Sequence, residues 1–229
     1  MYKVSKLRKV RCKMRLSVGV LALVCVGTAA FAQNRLGGLL GGAAALKGLN
    51  PETVTNLQDA YNGESNASAT YTAFAKKAAE EGYASVEALF KAASASEAIH
   101  AKRFGEALTA GAAEPKATLK KPDVLTTAEN LKTAIAGETK EFQDIYPKAA
   151  EAAVKRGDLT AAKVFKDALA AEAKHARFFT EAAANLDSWK DAGKSFLLCK
   201  TCGYTTSGDD TLKKCPLCGV DRDDFEVFK

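Results

Sequence analysis

Glu172-Ala173-Lys174-His175 has a twin in Glu97-Ala98-Ile99-His100, and the two tetrapeptides hold the only two histidines of the chain. On an α-helix, residues three apart share a face, so the carboxylate and imidazole of each motif reach a common point. Two such helices face to face would bring two imidazoles and two carboxylates into one pocket. A single Glu-x-x-His on an Ala/Lys-rich helix is ordinarily a solvated surface. The weight therefore falls on whether the rest of the chain repeats the arrangement.

It does. A shift of 75 positions superposes Tyr71 on Tyr146, Gly82 on Gly157, Phe90 on Phe165, Glu97 on Glu172, His100 on His175 and Phe104 on Phe179. Upstream the offset is 74, with Gly63-Glu64 on Gly137-Glu138. The chain thus contains two copies of one helical hairpin, and the third helix carries one surplus residue between Glu138 and Tyr146. A surplus residue that leaves a helix intact is commonly absorbed as a π-bulge.

Punctuation sets the elements. Asn50-Pro51-Glu52 opens a helix with an N-cap, a proline and a first-turn acid, and Gly82 ends it. A second helix runs from near Ser85 to near Gly111. Thr126 with Glu129 forms a capping box for the third, which ends near Gly157. The fourth spans about Thr160 to Asp187. Short turns at Gly82 and Gly157 make antiparallel hairpins, while residues 112–125, with Pro115 and Pro122, form an extended connection able to cross the bundle. One long crossover predicts an all-α ferritin-like four-helix bundle over residues 50–190.

The repeat also supplies Glu64 and Glu138, one on each remaining helix, and Glu141 lies three residues beyond Glu138. Glu64, Glu97, His100, Glu138, Glu141, Glu172 and His175 make a candidate di-metal set of the carboxylate type. Mixed carboxylate and imidazole ligands suit iron or manganese. Tyr71 and Tyr146 sit two turns beyond Glu64 and Glu138, placed either to pack the core or to hydrogen-bond a ligand carboxylate. Phe74, Phe90, Phe104, Phe165, Phe178 and Phe179 read as core, and Arg103 and Arg177 as surface.

Cys199-x-x-Cys202-Gly203-Tyr204 and Cys215-Pro216-x-Cys218 are separated by 12 residues. Paired Cys-x-x-Cys motifs predict a tetrahedral thiolate site for zinc or a single iron. Residues 196–229 are too few for an independent core without a metal. Phe196, Tyr204, Phe225 and Phe228 are available to cover the site. Two disulfides are the alternative in an oxidising compartment.

The N-terminus reads as an export signal. Seven basic residues and no acid occupy residues 1–32, and the apolar run Leu16 to Phe31 ends in Ala30-Phe31-Ala32, a cleavage pattern that makes Gln33 the first mature residue. An uncleaved membrane anchor is the alternative. The formal charge of +6 comes from this segment; beyond it, 26 basic residues face 27 acidic ones, and nothing predicts nucleic-acid binding. Residues 33–49, rich in paired glycines, read as a flexible spacer.

Taken together, the Glu-x-x-His twins, Gly63-Glu64, Gly137-Glu138 with Glu141, and the four cysteines resemble rubrerythrin over residues 50–229. The resemblance implies a non-haem di-iron centre and one rubredoxin-type Fe(Cys)4 held by Cys199, Cys202, Cys215 and Cys218. It implies reduction of hydrogen peroxide to water, with electrons passed inward from the rubredoxin-like domain. Glu97 and Glu172 would bridge the irons, Glu141 and His100 would exchange as ligands with redox state, and Tyr71 and Tyr146 would bond ligand carboxylates. It also implies a homodimer in which one subunit's rubredoxin-like domain approaches the other's di-iron site. Export departs from the mostly cytoplasmic members of that family and points to a periplasmic electron donor, a cytochrome or a rubredoxin-type carrier. Ferroxidase or iron-handling chemistry with oxygen, and a non-enzymatic electron-transfer or zinc-binding module, are the other function classes. The fusion of a four-cysteine domain to the bundle favours redox turnover over storage.

Overall fold

In the computed structural model the described residues are 48–190 and 192–229. The expected signal segment 1–32 and residues 33–47 of the expected spacer lie outside them. Of the spacer, Gly48 and Leu49 are described, and Leu49 packs against the bundle core beside Gly111. No described helix is long and apolar enough to cross a membrane.

Helices α1 (Pro51–Glu80) and α2 (Ala84–Ala110) form the first hairpin. The second is α3 (Thr127–Lys140) continuing into α4 (Tyr146–Arg156), packed against α5 (Leu159–Ala184). Local signals act as read. The Asn50 side chain accepts from the Glu52 N–H at 3.0 Å, and Thr126 and Glu129 close their capping box. Gly82 and Gly157 turn the chain with φ of +79° and +81°, a region that glycine enters without steric cost.

Between α3 and α4, Glu141–Ile145 is a π-helical segment. The surplus residue inferred from the repeat offset is absorbed there, and the helix continues. This places Glu141, an acid with no counterpart in the first hairpin, at the start of the wide turn.

The crossover after α2 has no regular structure but is tied along α1 by an amide ladder. Gln58 Oε1 accepts from Lys116 N at 3.2 Å, Asn62 Oδ1 from Thr118 N at 2.8 Å and Asn66 Oδ1 from Lys120 N at 2.8 Å. Four helical residues rise about 6 Å and two extended residues about 6.6 Å, so side chains at i, i+4 and i+8 can meet alternate residues of an extended strand. That match keeps a long connection ordered on the bundle surface.

The bundle interior splits into two apolar halves. One contains Tyr71, Phe74, Phe90, Phe178 and Phe179; the other contains Leu57, Phe104, Leu108, Tyr146 and Phe165. The repeat governs their packing. Phe90 lies 5.0 Å from Phe179 and Phe104 lies 5.1 Å from Phe165, ring centroid to centroid, with Tyr71 closing the first pair and Tyr146 the second. Between the two halves lies a thin polar layer of buried glutamates and histidines.

After the short α6 (Leu186–Trp189), the chain forms a three-stranded antiparallel sheet of β1 (Phe196–Cys199), β2 (Thr205–Ser207) and β3 (Phe225–Phe228), in the order β2-β1-β3. Tyr204 and Phe225 cover the cysteines as expected. Phe196 does not: it packs into the bundle against Phe178 and Trp189, at centroid distances of 5.4 and 6.2 Å, and Phe228 lies on the same side. Period-two alternation explains the difference, since Phe196 and Cys199 project from opposite faces of β1. Arg103 also departs from its expected surface role. It is half-buried, paired at 2.5 Å with the buried Asp167. Arg177 is exposed, as read.

Candidate metal centres

Four helices deliver the polar layer. Glu64 comes from α1, Glu97 and His100 from α2, Glu138 from α3, and Glu172 and His175 from α5, and all six side chains are buried. The three-residue spacing within each motif aims carboxylate and imidazole at one point, as the helical phase requires.

The two motif glutamates each span both histidines. Glu97 Oε2 lies 2.9 Å from His100 Nδ1, and Glu97 Oε1 lies 3.0 Å from His175 Nδ1. Glu172 Oε1 and Oε2 make the equivalent approaches at 3.1 Å each. Glu64 then stands 3.9 Å from His100 Nδ1, and Glu138 stands 3.6 Å from His175 Nδ1. The result is two overlapping donor sets, Glu64/Glu97/His100/Glu172 and Glu97/Glu138/Glu172/His175, each with its ligand atoms within 4.8 Å of one another.

Glu141 lies at the edge of this layer, half-buried, and is not among these two sets of ligand atoms. His100 belongs to the first of those sets. Burial, and then Glu138, holds the Glu141 carboxyl well above the usual range, and its ionised form would raise the proton affinity of Glu64, Tyr71 and Tyr146.

Both tyrosines pack in the core and bond a carboxylate, and they do so across the hairpins. The Tyr71 hydroxyl donates to Glu138 Oε1 at 2.5 Å, and the Tyr146 hydroxyl donates to Glu64 Oε1. Each tyrosine is therefore carried by one repeat and orients the carboxylate of the other.

The residues fit a pair of divalent cations. Glu64 Oε2, Glu97 Oε1, Glu138 Oε2, both Glu172 oxygens and His175 Nδ1 are buried with no hydrogen-bond partner. Such a concentration of orphaned acceptors is costly unless cations complete it. Two divalent ions would neutralise the four carboxylates. Without them, the layer must be neutralised by protons. Burial, and then the Glu97 charge, pushes the Glu138 carboxyl up to about 8, and burial with Glu172 holds Glu64 well above the usual carboxylate range. Burial alone would raise Glu97 as well, but His175 and His100 hold it at about 2. Burial opposes charge on His100, yet Glu172 and Glu97 draw it up to about 9.

Cys199, Cys202, Cys215 and Cys218 form the second centre. All four are unbridged, with Cys199 Sγ 3.6 Å from Cys218 Sγ and Cys202 Sγ 3.5 Å from Cys215 Sγ. A tetrahedral ion with metal–sulfur bonds of about 2.3 Å needs sulfur–sulfur edges of about 3.8 Å, close to this spacing and far from the ~2 Å of a disulfide. Burial pushes the Cys199 thiol up to about 11, so a cation rather than solvent would hold it as thiolate.

Ser96, Thr205 and Asp167 went unread in the sequence, and Arg103 read as surface. Ser96, next to Glu97, and Thr205, beside Cys202-Gly203, reach between the two centres, and Arg103 and Asp167 form a part-buried ion pair at the same junction. Arg103 stands three residues from His100, on the same helical face; that spacing was the available signal.

Known families match both parts of the chain. The family model described as Rubrerythrin matches residues 55–183, and that described as Rubrerythrin, rubredoxin-like domain, matches residues 198–226. Nigerythrin of Nitratidesulfovibrio vulgaris is 37% identical over 179 residues, 77% of this chain and 86% of that protein. Rubrerythrin of Porphyromonas gingivalis is 34% identical over 181 residues, 78% and 90% respectively. Among solved structures, fully reduced, all-ferrous nigerythrin aligns with a TM-score of 0.72 at 34% identity, covering 81% of this chain and 91% of that one. A Mycobacterium tuberculosis bacterioferritin aligns at 17% identity with a TM-score of 0.58, covering 63% and 92%, a likeness of fold alone.

Proposed function

The chain belongs to the rubrerythrin family, and from that premise we propose that it is a peroxidase that reduces hydrogen peroxide to water. The observation that supports this most is the shared pair Glu97 and Glu172, each presenting one oxygen to either side of a buried layer, with a four-cysteine centre on the same chain. Peroxide takes two electrons and two protons and yields two waters. Two ferrous ions in that layer would supply both electrons together and polarise the oxygen–oxygen bond.

The chain's own residues do the rest. Glu64, Glu97, His100, Glu138, Glu172 and His175 would hold the pair. Tyr71 and Tyr146 fix the outer carboxylates so that one oxygen of each faces inward. The aromatic halves exclude water from both sides. Glu141, whose carboxyl burial and Glu138 hold well above its usual range, can keep a proton at the edge of the layer where a peroxide oxygen must be protonated. The resemblance further supports an exchange of Glu141 and His100 as ligands between redox states.

We place this activity outside the cytoplasmic membrane on the strength of residues 1–32, with a periplasmic cytochrome or rubredoxin-type carrier as the external one-electron donor. The test compares the reduced, iron-loaded mature chain mixed with peroxide and with oxygen. Oxidation by peroxide should be the faster. Oxidation by oxygen at an equal or greater rate would favour iron handling instead.

A further inference from the structure

The crossover between α2 and α3 leaves one edge of its backbone open. Along residues 116–120 the amide ladder of α1 takes the polar groups of alternate residues. Lys116, Thr118 and Lys120 give it their N–H groups. In return Gln58 Nε2 donates to the Lys116 carbonyl, and Asn66 Nδ2 donates to the Thr118 carbonyl at 3.0 Å. In an extended chain the N–H and C=O groups of successive residues point to opposite edges. Those of Lys116, Thr118 and Lys120 therefore face α1, and those of Ala117, Leu119 and Lys121 face away from it. Among the described residues nothing bonds the backbone groups of Ala117, Leu119 or Lys121.

The side chains around that edge are as open as the backbone. Every residue from Lys116 to Lys121 is exposed, and Pro115 and Pro122 bound the stretch. Leu119, at the centre of the free edge, is 64% exposed, a large apolar side chain with no cover. Lys116, Lys120 and Lys121 flank it with no acid between them, and Lys116 meets only the exposed Glu114, at 3.5 Å. Lysines and prolines are what a bare edge carries to resist indiscriminate pairing. Two copies of this stretch paired about Leu119 would crowd six lysines into one short ribbon, and like charges across strands destabilise it. A neutral strand gains nothing from the lysines. A strand bearing acidic side chains matches both the backbone edge and the charges, so the lysines select it over the others.

We propose that the free edge of residues 117–121 is a docking site for an extended, acidic segment of a partner protein, which adds as a strand beside the crossover. Ala117, Leu119 and Lys121 supply the main-chain hydrogen bonds. Leu119 supplies the apolar contact, and Lys116, Lys120 and Lys121 choose acidic side chains. Gln58, Asn62 and Asn66 complete the arrangement from the other side. By fixing alternate residues they hold the crossover extended before a partner arrives, so little ordering is left to the encounter. None of the candidate metal ligands takes part, and the site stands whether or not the chain reduces peroxide.

The test titrates the full-length mature protein with a blocked peptide of alternating glutamate and valine, and follows amide hydrogen exchange residue by residue. The peptide should bind with a Kd below about 1 mM. At about ten times Kd it should slow exchange at Ala117, Leu119 and Lys121 about 10-fold, with no change at the bonded amides of Lys116, Thr118 and Lys120. The same peptide N-methylated throughout keeps its charge, loses its donors and should not bind. Leu119→Pro removes the central donor while leaving Thr118 extended, and should weaken binding about 10-fold. Lys120→Glu with Lys121→Glu should do the same and admit a lysine–valine peptide instead. Both variants should keep the wild-type Tm and metal content. No slowing at the three amides, binding that survives N-methylation, or equal binding of the two peptides to the wild type overturns the proposal. Protection of the three amides in the protein alone shows the edge to be occupied already and also overturns it; if that protection falls on dilution, the occupant is a second copy. Sedimentation with phosphatidylglycerol vesicles, without any response to the peptide, assigns Leu119 and the lysines to a lipid surface and overturns it as well.

Discussion

Tyr71 on α1 donates a 2.5 Å hydrogen bond to Glu138 on α3, and its repeat partner Tyr146 returns the favour to Glu64. The tyrosines thus couple the two hairpins through the metal layer. Each ring packs in one aromatic half while its hydroxyl holds a carboxylate.

Replacing Tyr71 by Phe keeps the ring and removes only the donor. Iron affinity or peroxide turnover should fall about 10- to 100-fold, the usual scale for a residue that orients a metal ligand. Tyr146→Phe should match it. Iron titration and turnover check this; full activity in both variants would show that the hydroxyls only pack.

The metal-free protein should lose stability as pH rises from about 4.5 to 9. Glu138 holds its proton to about 8 in the folded state against an ordinary 4.5, so between those values the unfolded chain ionises where the folded one does not, and stability falls as pH climbs from 4.5 to 8. The stabilising charge on His100 is fully present below 6.5 and is lost as pH passes about 9. Glu97, at about 2, does not titrate there. Melting curves in chelator should give a Tm that falls over this range, and metal loading should flatten the dependence. A metal-free Tm that rises with pH would contradict the proton-filled layer.

Deleting Gln143 removes the surplus residue from the π-helical segment at an exposed position. Glu64 and Tyr71 hold the equivalent relation seven residues apart on the continuous α1, so the deletion keeps Glu138 in phase with Tyr146 and shifts only Glu141, which sits in the wide turn. Circular dichroism should stay helical and the six buried ligands should still bind two metals, while peroxide turnover falls. Unchanged turnover would show the bulge to be incidental.

Phe90→Ala and Phe165→Ala empty equivalent places in the two aromatic halves. Both rings are fully buried, and each loss should cost about 3–5 kcal/mol in denaturant unfolding of the metal-loaded chain. Unequal costs would reveal that one half carries the bundle.

Much of this was legible because the chain repeats itself. The 75-residue shift marks the ligands, the hairpins and, through its slip to 74, the π-helical turn. What stayed hidden depends on tertiary approach. Nothing local to Ser96, Thr205 or Asp167 signals that a second domain lands there. Arg103 read as surface because a lone arginine on a helix usually is, and its buried partner comes from α5. Phe196 read as cover for the cysteines because proximity in sequence says nothing of which face of a strand it takes. The amide ladder of Gln58, Asn62 and Asn66 was likewise unreadable, since its i, i+4 spacing has meaning only beside an extended chain.

The most direct measurement is the metal content of the purified mature chain, taken with its visible spectrum. Two ions in the histidine–carboxylate layer and one at the four cysteines predict three irons per chain and a ferric thiolate absorption that bleaches on reduction. One zinc per chain and no iron would contradict the account.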